Sequence, residues 1–384
     1  RQFLISDETG RTIDARPSLF CPSINVTARL VDVGFGMPHE IKSLNQNLEG
    51  TVALMASGYE PFTFPESLTF RLERLSKLGV LACITPHPTG GRHTAHGHAS
   101  DWRDHNPNDV PLPLIHTSRE DGALLIRRAN AGASVTVHVD SKQLKKTSSN
   151  VIGDLKGKNW PDEWIILGAH HDTTVDSPGA NDNASGCTVV LETARLLARL
   201  EQEYNISPGR SIRFATFGSE EQGLQGSAAF VKKHYGNDPI PRLMINLDEL
   251  ATGAMKGVAL QFPQLRPLIQ RELDAMNEGL TCHVMSQMDS SGDMFPFALR
   301  GIQSGMLWRW RFVGRHPDAS FGHSSSDTLD KVRTRELKEY AGLLARLLLR
   351  VSHTTPDQWP DKSLYIDLRA ARSASERCSS ARTM

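Results

Sequence analysis

The sequence predicts an α/β fold: a mostly parallel, doubly wound sheet with helices on both faces, accompanied by a smaller α+β unit. Three observations predict it. From about residue 146 onward, short apolar runs of strand length alternate with longer runs of helical period, the pattern of strands joined by crossover helices. The run 164–167 is apolar throughout, as in a strand buried on both faces. The residues that carry chemistry, first among them His170, Asp172 and Asp182, stand just beyond strand ends or at a helix entrance, where an open α/β sheet presents ligands.

The chain has 384 residues, enough for two domains or one large domain with an insertion. Its 39% apolar and 22% charged residues describe an ordinary globular protein. A formal net charge of zero leaves no global field for nucleic acid or an anionic membrane. No apolar run approaches the roughly 18 residues needed to span a bilayer. The chain starts at Arg1 with nothing resembling a signal peptide, which reads as a removed targeting segment or a fragment. Cys21, Cys83, Cys187, Cys282 and Cys378 are odd in number, widely spaced and without a Cys-x-x-Cys pair. That excludes a zinc–thiolate knuckle, argues against a disulfide scaffold and predicts buried free thiols.

Residues 1–23 are polar and weakly patterned. Strands are expected at 28–33, 51–55 and 80–84, with a helix from about Pro65, faced by Leu68, Leu72 and Leu75 and stopped at Gly79. The loop carrying His87, His93, His96, His98 and His105 reads as a solvated surface loop, because no helix or strand sets a ligand spacing there. Pro111 and Pro113 suit 110–117 to a strand entry. Ser118 and Asp121 form an imperfect capping box for a helix ended by Gly132. Residues 134–139 alternate with Val135, Val137 and Val139 on one face. Residues 24–145 therefore form a compact α+β unit without obvious chemistry.

Beyond a polar linker, 151–155 and 164–167 are expected to pair. A helix follows over 183–200, then a strand at 211–217, a helix at 227–234, a strand at 243–247, a helix at 263–276 and a strand at 282–285. A short helix at 292–299 and a strand at 304–310 precede an irregular loop with His323. Leu337, Tyr340, Ala341, Leu344, Leu347, Leu348 and Val351 make an amphipathic terminal helix. Residues 354–384 lose all pattern and read as a disordered tail. The expected division is 1–23 as a truncated part of the catalytic domain, 24–145 as the smaller domain, 146–353 as the catalytic domain and 354–384 as tail.

Strand ends supply His170, the Glu220–Glu221 pair and Asp248; Asp182 opens a helix and His323 lies on a late loop. Imidazole and carboxylate without thiolate suit catalytic zinc, and five ligands suit two ions bridged by one carboxylate, a pair that activates water. Adjacent residues leaving a strand point oppositely, so one glutamate can bind metal while its neighbour serves as general base. Asp172 is placed to accept the other N–H of the His170 imidazole and fix its tautomer.

Ala-His170-His-Asp172, Pro-Gly-Ala-Asn-Asp182-Asn-Ala-Ser-Gly, Phe-Gly-Ser-Glu220-Glu221-Gln-Gly-Leu-Gln-Gly-Ser, Ile-Asn-Leu-Asp248 and Gly-His323-Ser-Ser-Ser-Asp-Thr resemble the co-catalytic zinc aminopeptidases of metallopeptidase family twenty-eight. That family also holds glutamate carboxypeptidases and the transferrin receptor. Gly-Thr-Val-Ala-Leu-Met, Leu-Ser-Lys-Leu-Gly-Val-Leu-Ala-Cys-Ile and Leu-Pro-Leu-Ile-His-Thr carry a weaker resemblance to the protease-associated domain that many members insert, here 24–145. The resemblance implies a zinc-exopeptidase-like sheet and two Zn(2+) ions bridged by Asp182. His170 and Asp248 would complete one metal site, and Glu221 with His323 the other. Glu220 would be the general base, Asp172 the orienter of His170, and the Asp182–Asn183 peptide cis. The implied reaction is hydrolysis of the N-terminal peptide bond of peptides by a metal-bridging water. The alternatives are a carboxypeptidase of the same family and a non-catalytic, receptor-like ectodomain. Trp308, Arg309, Trp310, Arg311 and Arg315 would wall a substrate side-chain pocket if they were not ordinary strand and surface residues. The family is mostly exported, which implies a secreted, periplasmic or vacuolar location.

Overall fold

The computed structural model describes residues 2–57, 66–88, 90–91, 93–94, 97, 110–142, 144–237, 239–250, 255–276, 282–309 and 321–360. Two compact units share the chain. The first holds Arg1–Thr147 with the short segments Thr174–Pro178 and Ser320–Asp327; the second holds the remainder.

The first unit contains β1 (Gln2–Asp7), β2 (Ala15–Pro17), β3 (Ile24–Asp32), α1 (Pro38–Ser43), β4 (Val52–Leu54), α2 (Leu68–Lys77), β5 (Ala82–Pro86), β6 (Leu114–Thr117), α3 (Arg119–Asn130) and β7 (Ser134–Asp140). Its sheet runs β1-β7-β3-β4-β5-β6-β2, parallel from β3 to β6 and antiparallel elsewhere. Successive strand residues face opposite ways, and each face has its own apolar core. Leu30, Val52, Leu54, Ile84 and Ile115 pack with Leu125 of α3 and with Val135, Val137 and Val139, while Val31, Ala53, Met55 and Cys83 pack with Leu72 and Leu75 of α2. The Ser118 hydroxyl caps α3, accepting the Asp121 N–H at 3.1 Å.

The strands at 2–7 and 15–17 belong to this sheet and not to that of the second unit. β1 pairs with β7 from Gln2 opposite Asp140 to Asp7 opposite Val135, and β2 pairs with β6. Ile5 is buried and Leu4 exposed, so β1 has the period of two, but Ser6 and Asp7 blur it in a strand of six residues.

The second unit contains β8 (Val151–Leu155), β9 (Trp160–His170), α4 (Gly186–Tyr204), β10 (Arg210–Phe217), α5 (Gln225–Tyr235), β11 (Leu243–Asn246), β12 (Met255–Leu260), α6 (Arg266–Asp274), β13 (His283–Ser286), α7 (Met294–Leu299), β14 (Ser304–Arg309) and α8 (Thr334–Ser352). The sheet order is β13-β12-β14-β11-β9-β10-β8. Its centre, β10-β9-β11-β14, is parallel; β8 and the β12–β13 pair join it through antiparallel ladders to β10 and β14. Ile165, Leu167, Ile245 and Leu247 pack with α4, α6 and α8, whereas Ile166, Phe217 and Met244 pack with Phe230 of α5 and Phe297 of α7. The predicted doubly wound sheet with helices on both faces is therefore present.

Three local expectations change. β8 pairs with β10, Leu155 opposite Ile212, rather than with its sequence neighbour β9. β12 was not expected, because Lys256 and Gly257 interrupt its apolar residues. The chain keeps its structure past residue 353: Pro356–Gln358 form a short turn of helix and Trp359 is buried against the Arg210 guanidinium, 4.9 Å from its ring centre. One aromatic residue has no period to read. Residues 361–384 lie outside the described residues, as do His96, His98, His105, Trp310, Arg311 and Arg315. Cys21, Cys83, Cys187 and Cys282 are free thiols.

Candidate metal centre

The parallel neighbours β9, β10 and β11 end side by side, with Phe217 opposite His170 and Asn246 opposite Gly168. His170 closes β9, Glu220 and Glu221 follow β10, and Asp248 follows β11. Asp182 comes from a distorted turn, Ala180–Ser185, at the entrance to α4, where its φ is −113° and ψ 89°. The Asp182–Asn183 peptide bond is cis.

Buried side chains stitch that turn to the end of β11. The Asn183 amide donates to the Leu247 carbonyl at 2.9 Å and its oxygen accepts the Gly186 N–H at 3.0 Å. The Ser185 hydroxyl donates to the Asn181 carbonyl at 2.6 Å and accepts the Leu250 N–H at 2.8 Å. The approach is close enough to require glycine at 186, where a Cβ would collide with Asn183 Oδ1 and stand 2.6 Å from the Leu247 oxygen. This stitching brings Asp182 and Asp248 together at one imidazole. His170 Nε2 lies 3.2 Å from Asp182 Oδ1, 3.3 Å from Asp248 Oδ1 and 3.9 Å from Glu220 Oε2. Ligand atoms of His170, Asp182 and Glu221 gather within 4.8 Å of one another, and so do those of His170, Glu220 and Asp248.

The donor set and its spacing fit zinc. Tetrahedral ligands at about 2.0–2.1 Å from an ion lie about 3.3 Å from one another. The two carboxylate oxygens beside Nε2 stand at that separation, and a neutral imidazole nitrogen cannot donate to both. The surrounding carboxylates also favour positive charge at this point. Burial pushes the His170 pKa down, yet Asp248, Glu220 and Asp182 outweigh it and hold the imidazole well above its ordinary value. Burial, with Asp293, Asp248 and Glu221 adding and His170 opposing, holds the Glu220 carboxyl well above the usual carboxylate range.

Asp172 meets His170 through a different atom from the one expected. The imidazole Nδ1 is 3.0 Å from the Asp172 backbone carbonyl and 3.8 Å from its carboxylate. The carboxylate instead accepts the Glu220 N–H at 3.0 Å and the Glu221 N–H at 3.3 Å. His171 is exposed, with Nδ1 3.2 Å from Thr216 Oγ1. His323, at φ 60°, belongs to the segment that is part of the first unit.

Sequence reasoning missed Asp293. It is fully buried at the entrance to α7, and burial, helped by Asp248 and Asp172 and opposed by His170 and Ser227, pushes its carboxyl up to about 7. An aspartate before a helix reads as a cap, but Asp293 makes no capping hydrogen bond. The sequence signal was an acid flanked by Gly292 and an apolar run.

Known proteins share the sequence and the fold of this chain. The model of Peptidase family M28 matches residues 150–348, just over half of the chain. A probable leucine aminopeptidase 2 of Aspergillus oryzae is 29% identical over 309 residues, 77% of this chain and 58% of the relative. Aminopeptidase YwaD of Bacillus subtilis is 29% identical over 249 residues, 62% of this chain and 51% of the relative. The chain thus spans about half the length of the curated relatives it matches. Among solved structures, a zinc aminopeptidase of Bacillus subtilis superposes with a TM-score of 0.70 at 21% identity, covering 94% of this chain and 85% of the other, a likeness of fold. The chain belongs to Peptidase family M28.

Proposed function

We propose that the protein is a zinc aminopeptidase that removes the N-terminal residue of peptides. The observation that carries this reading is the pair of carboxylate oxygens 3.2 and 3.3 Å from His170 Nε2, with Glu220 Oε2 3.9 Å away. In the two-ion form, Asp182 would be the shared ligand, His170 and Asp248 would hold one zinc, and Glu221 and His323 would hold the other. The two overlapping ligand groups, one containing Asp182 and Glu221 and the other Asp248, support that form; the family's motif supports His323. When bound, zinc would supply Lewis acidity toward a water molecule and the scissile carbonyl. Glu220 takes the proton of the attacking water and passes it to the departing amine, serving as general base and then general acid. The first unit takes the place of the protease-associated domain implied by its sequence.

Glu220→Gln is the test. The variant should keep its zinc and lose aminoacyl-anilide hydrolysis by about 10²–10⁴-fold. Hydrolysis near the wild-type rate would remove Glu220 from the base role. Wild-type protein without zinc would remove the metal reading, and cleavage of N-acetylated peptides with free C-termini would favour the carboxypeptidase.

A further inference from the structure

Asp172 presents two acceptors to two different parts of the centre. Its backbone carbonyl takes the His170 Nδ1–H at 3.0 Å, so orienting that ring needs no side chain at position 172. Its carboxylate faces the turn after β10. Ser219 there sits at φ 60°, and Gly223 and Leu224 both return their N–H groups to the Glu220 carbonyl at 2.8 Å. A left-handed residue followed by exposed N–H groups makes a concavity for an anion, and the Asp172 carboxylate fills it with bonds of 3.0 and 3.3 Å to Glu220 and Glu221.

We infer that the Asp172 carboxylate is a positioning residue for the Glu220–Glu221 turn, fixing the backbone from which both side chains project, while the carbonyl of the same residue fixes His170. One residue thereby sets the spacing between the imidazole and the glutamates. Its consequence for catalysis rests on the proposed function, in which Glu220 is the base and Glu221 a ligand. Without the anchor, two N–H groups lose their acceptor and two adjacent carboxylates are free to move apart. A misplacement of about 1 Å is enough to cost about 10² in rate.

Asp172→Ala separates this role from orientation of His170, because alanine removes the carboxylate and leaves the carbonyl. Amide exchange is followed by mass spectrometry on the full chain stripped of metal, so its outcome does not depend on zinc. In Asp172→Ala the peptide 218–224 should gain fast exchange at two amides, those of Glu220 and Glu221, while 165–171 stays unchanged. Asp172→Asn, which keeps one oxygen acceptor, should speed one amide and serves as the variant to read if alanine fails to fold. In the zinc arm, measured calorimetrically, Asp172→Ala should weaken binding about 10–100-fold in a His170→Ala background. In a Glu221→Gln background it should change little. In turnover, kcat should fall about 10²-fold with KM within about threefold, and Asp172→Asn should recover part of that loss. Unchanged exchange at 218–224, or a zinc effect that vanishes with His170→Ala and persists with Glu221→Gln, would overturn the inference. A wild-type chain that binds no zinc would overturn the proposed function alone, since the exchange result stands by itself.

Discussion

At the scale of single residues, the second unit places a buried charge with great economy of neighbours. Arg210 is fully buried, its guanidinium between the rings of Trp160 and Trp359 at 4.4 and 4.9 Å. It donates to Glu163 at 2.6 Å, to the Ser352 carbonyl at 3.1 Å and to the Thr354 carbonyl, and Arg242 shares Glu163 with it. A buried guanidinium left without its carboxylate is strongly unfavourable. Burial raises the Glu163 pKa, but hydrogen bonds and charge from Arg242 and Arg210 outweigh it, and the net shift is downward. A carboxylate whose folded pKa lies below its unfolded value of about 4.3 stabilises the fold above that pH. The contribution is lost as pH falls through the folded value. Glu163→Gln should therefore destabilise by about 1–3 kcal/mol at pH 7. In urea titrations the gap to wild type should hold down to about pH 5 and shrink below about pH 4. A gap that is as wide at pH 3 as at pH 7 would mean that packing, not charge, sets the loss.

At the scale of elements, the junction between the Ala180–Ser185 turn and the end of β11 decides whether the centre can form. Asn183 makes both of its side-chain hydrogen bonds inside the protein, to the Leu247 carbonyl and from the Gly186 N–H. Asn183→Ala leaves two buried backbone groups without those partners and should cost about 2–4 kcal/mol in urea unfolding. Zinc affinity should fall with it, since Asp182 and Asp248 are carried on the two joined segments. A loss under about 0.5 kcal/mol would mean that Ser185, with its own two bonds, holds the junction alone. This junction also shows what a sequence can and cannot say. His170, Glu220, Glu221 and Asp248 were legible because each stands where a strand pattern stops, and strand ends on a parallel sheet meet at one edge; Asp182 was legible because it stands where a helical pattern begins. The role of Asp172 was only half legible. A spacing of two residues places it near His170 but does not say which of its oxygens faces the ring. Asp293 was hidden because the same letter before a helix usually means a cap. β1 and β12 were hidden for a different reason: polar residues or glycine interrupt a period of two within six residues, and pairing partners far away in the chain supply what the local pattern lacks.

At the scale of the whole molecule, the chain is two folding problems in series. All seven strands of the first sheet lie between Gln2 and Asp140, and so do both of the apolar clusters that cover it. The second sheet and its two clusters begin at β8. The sheet of the first unit has three parallel pairings, which cannot close through hairpins and need α1, α2 and the 87–113 connection to be in place. Everything required for them is present in the first 142 residues. The segments Thr174–Pro178 and Ser320–Asp327 add to this unit from outside, through contacts such as Arg16 with Asp176 at 3.0 Å and Ser326 with His93 at 2.7 Å. These are a partly exposed ion pair and one hydrogen bond, each worth about 1 kcal/mol or less in net stability. Residues 1–142 expressed alone should therefore fold, with a single cooperative urea transition and a slope of about 1–3 kcal/mol per molar. The transition should fall at lower urea than that of a chain retaining both added segments. The fragment lacks His170, Asp182, Glu220, Glu221 and Asp248, so it should bind no zinc tightly and hydrolyse nothing. A broad, non-cooperative transition would show that the first unit is not self-sufficient and that the apolar clusters on its two faces need the rest of the chain to pack.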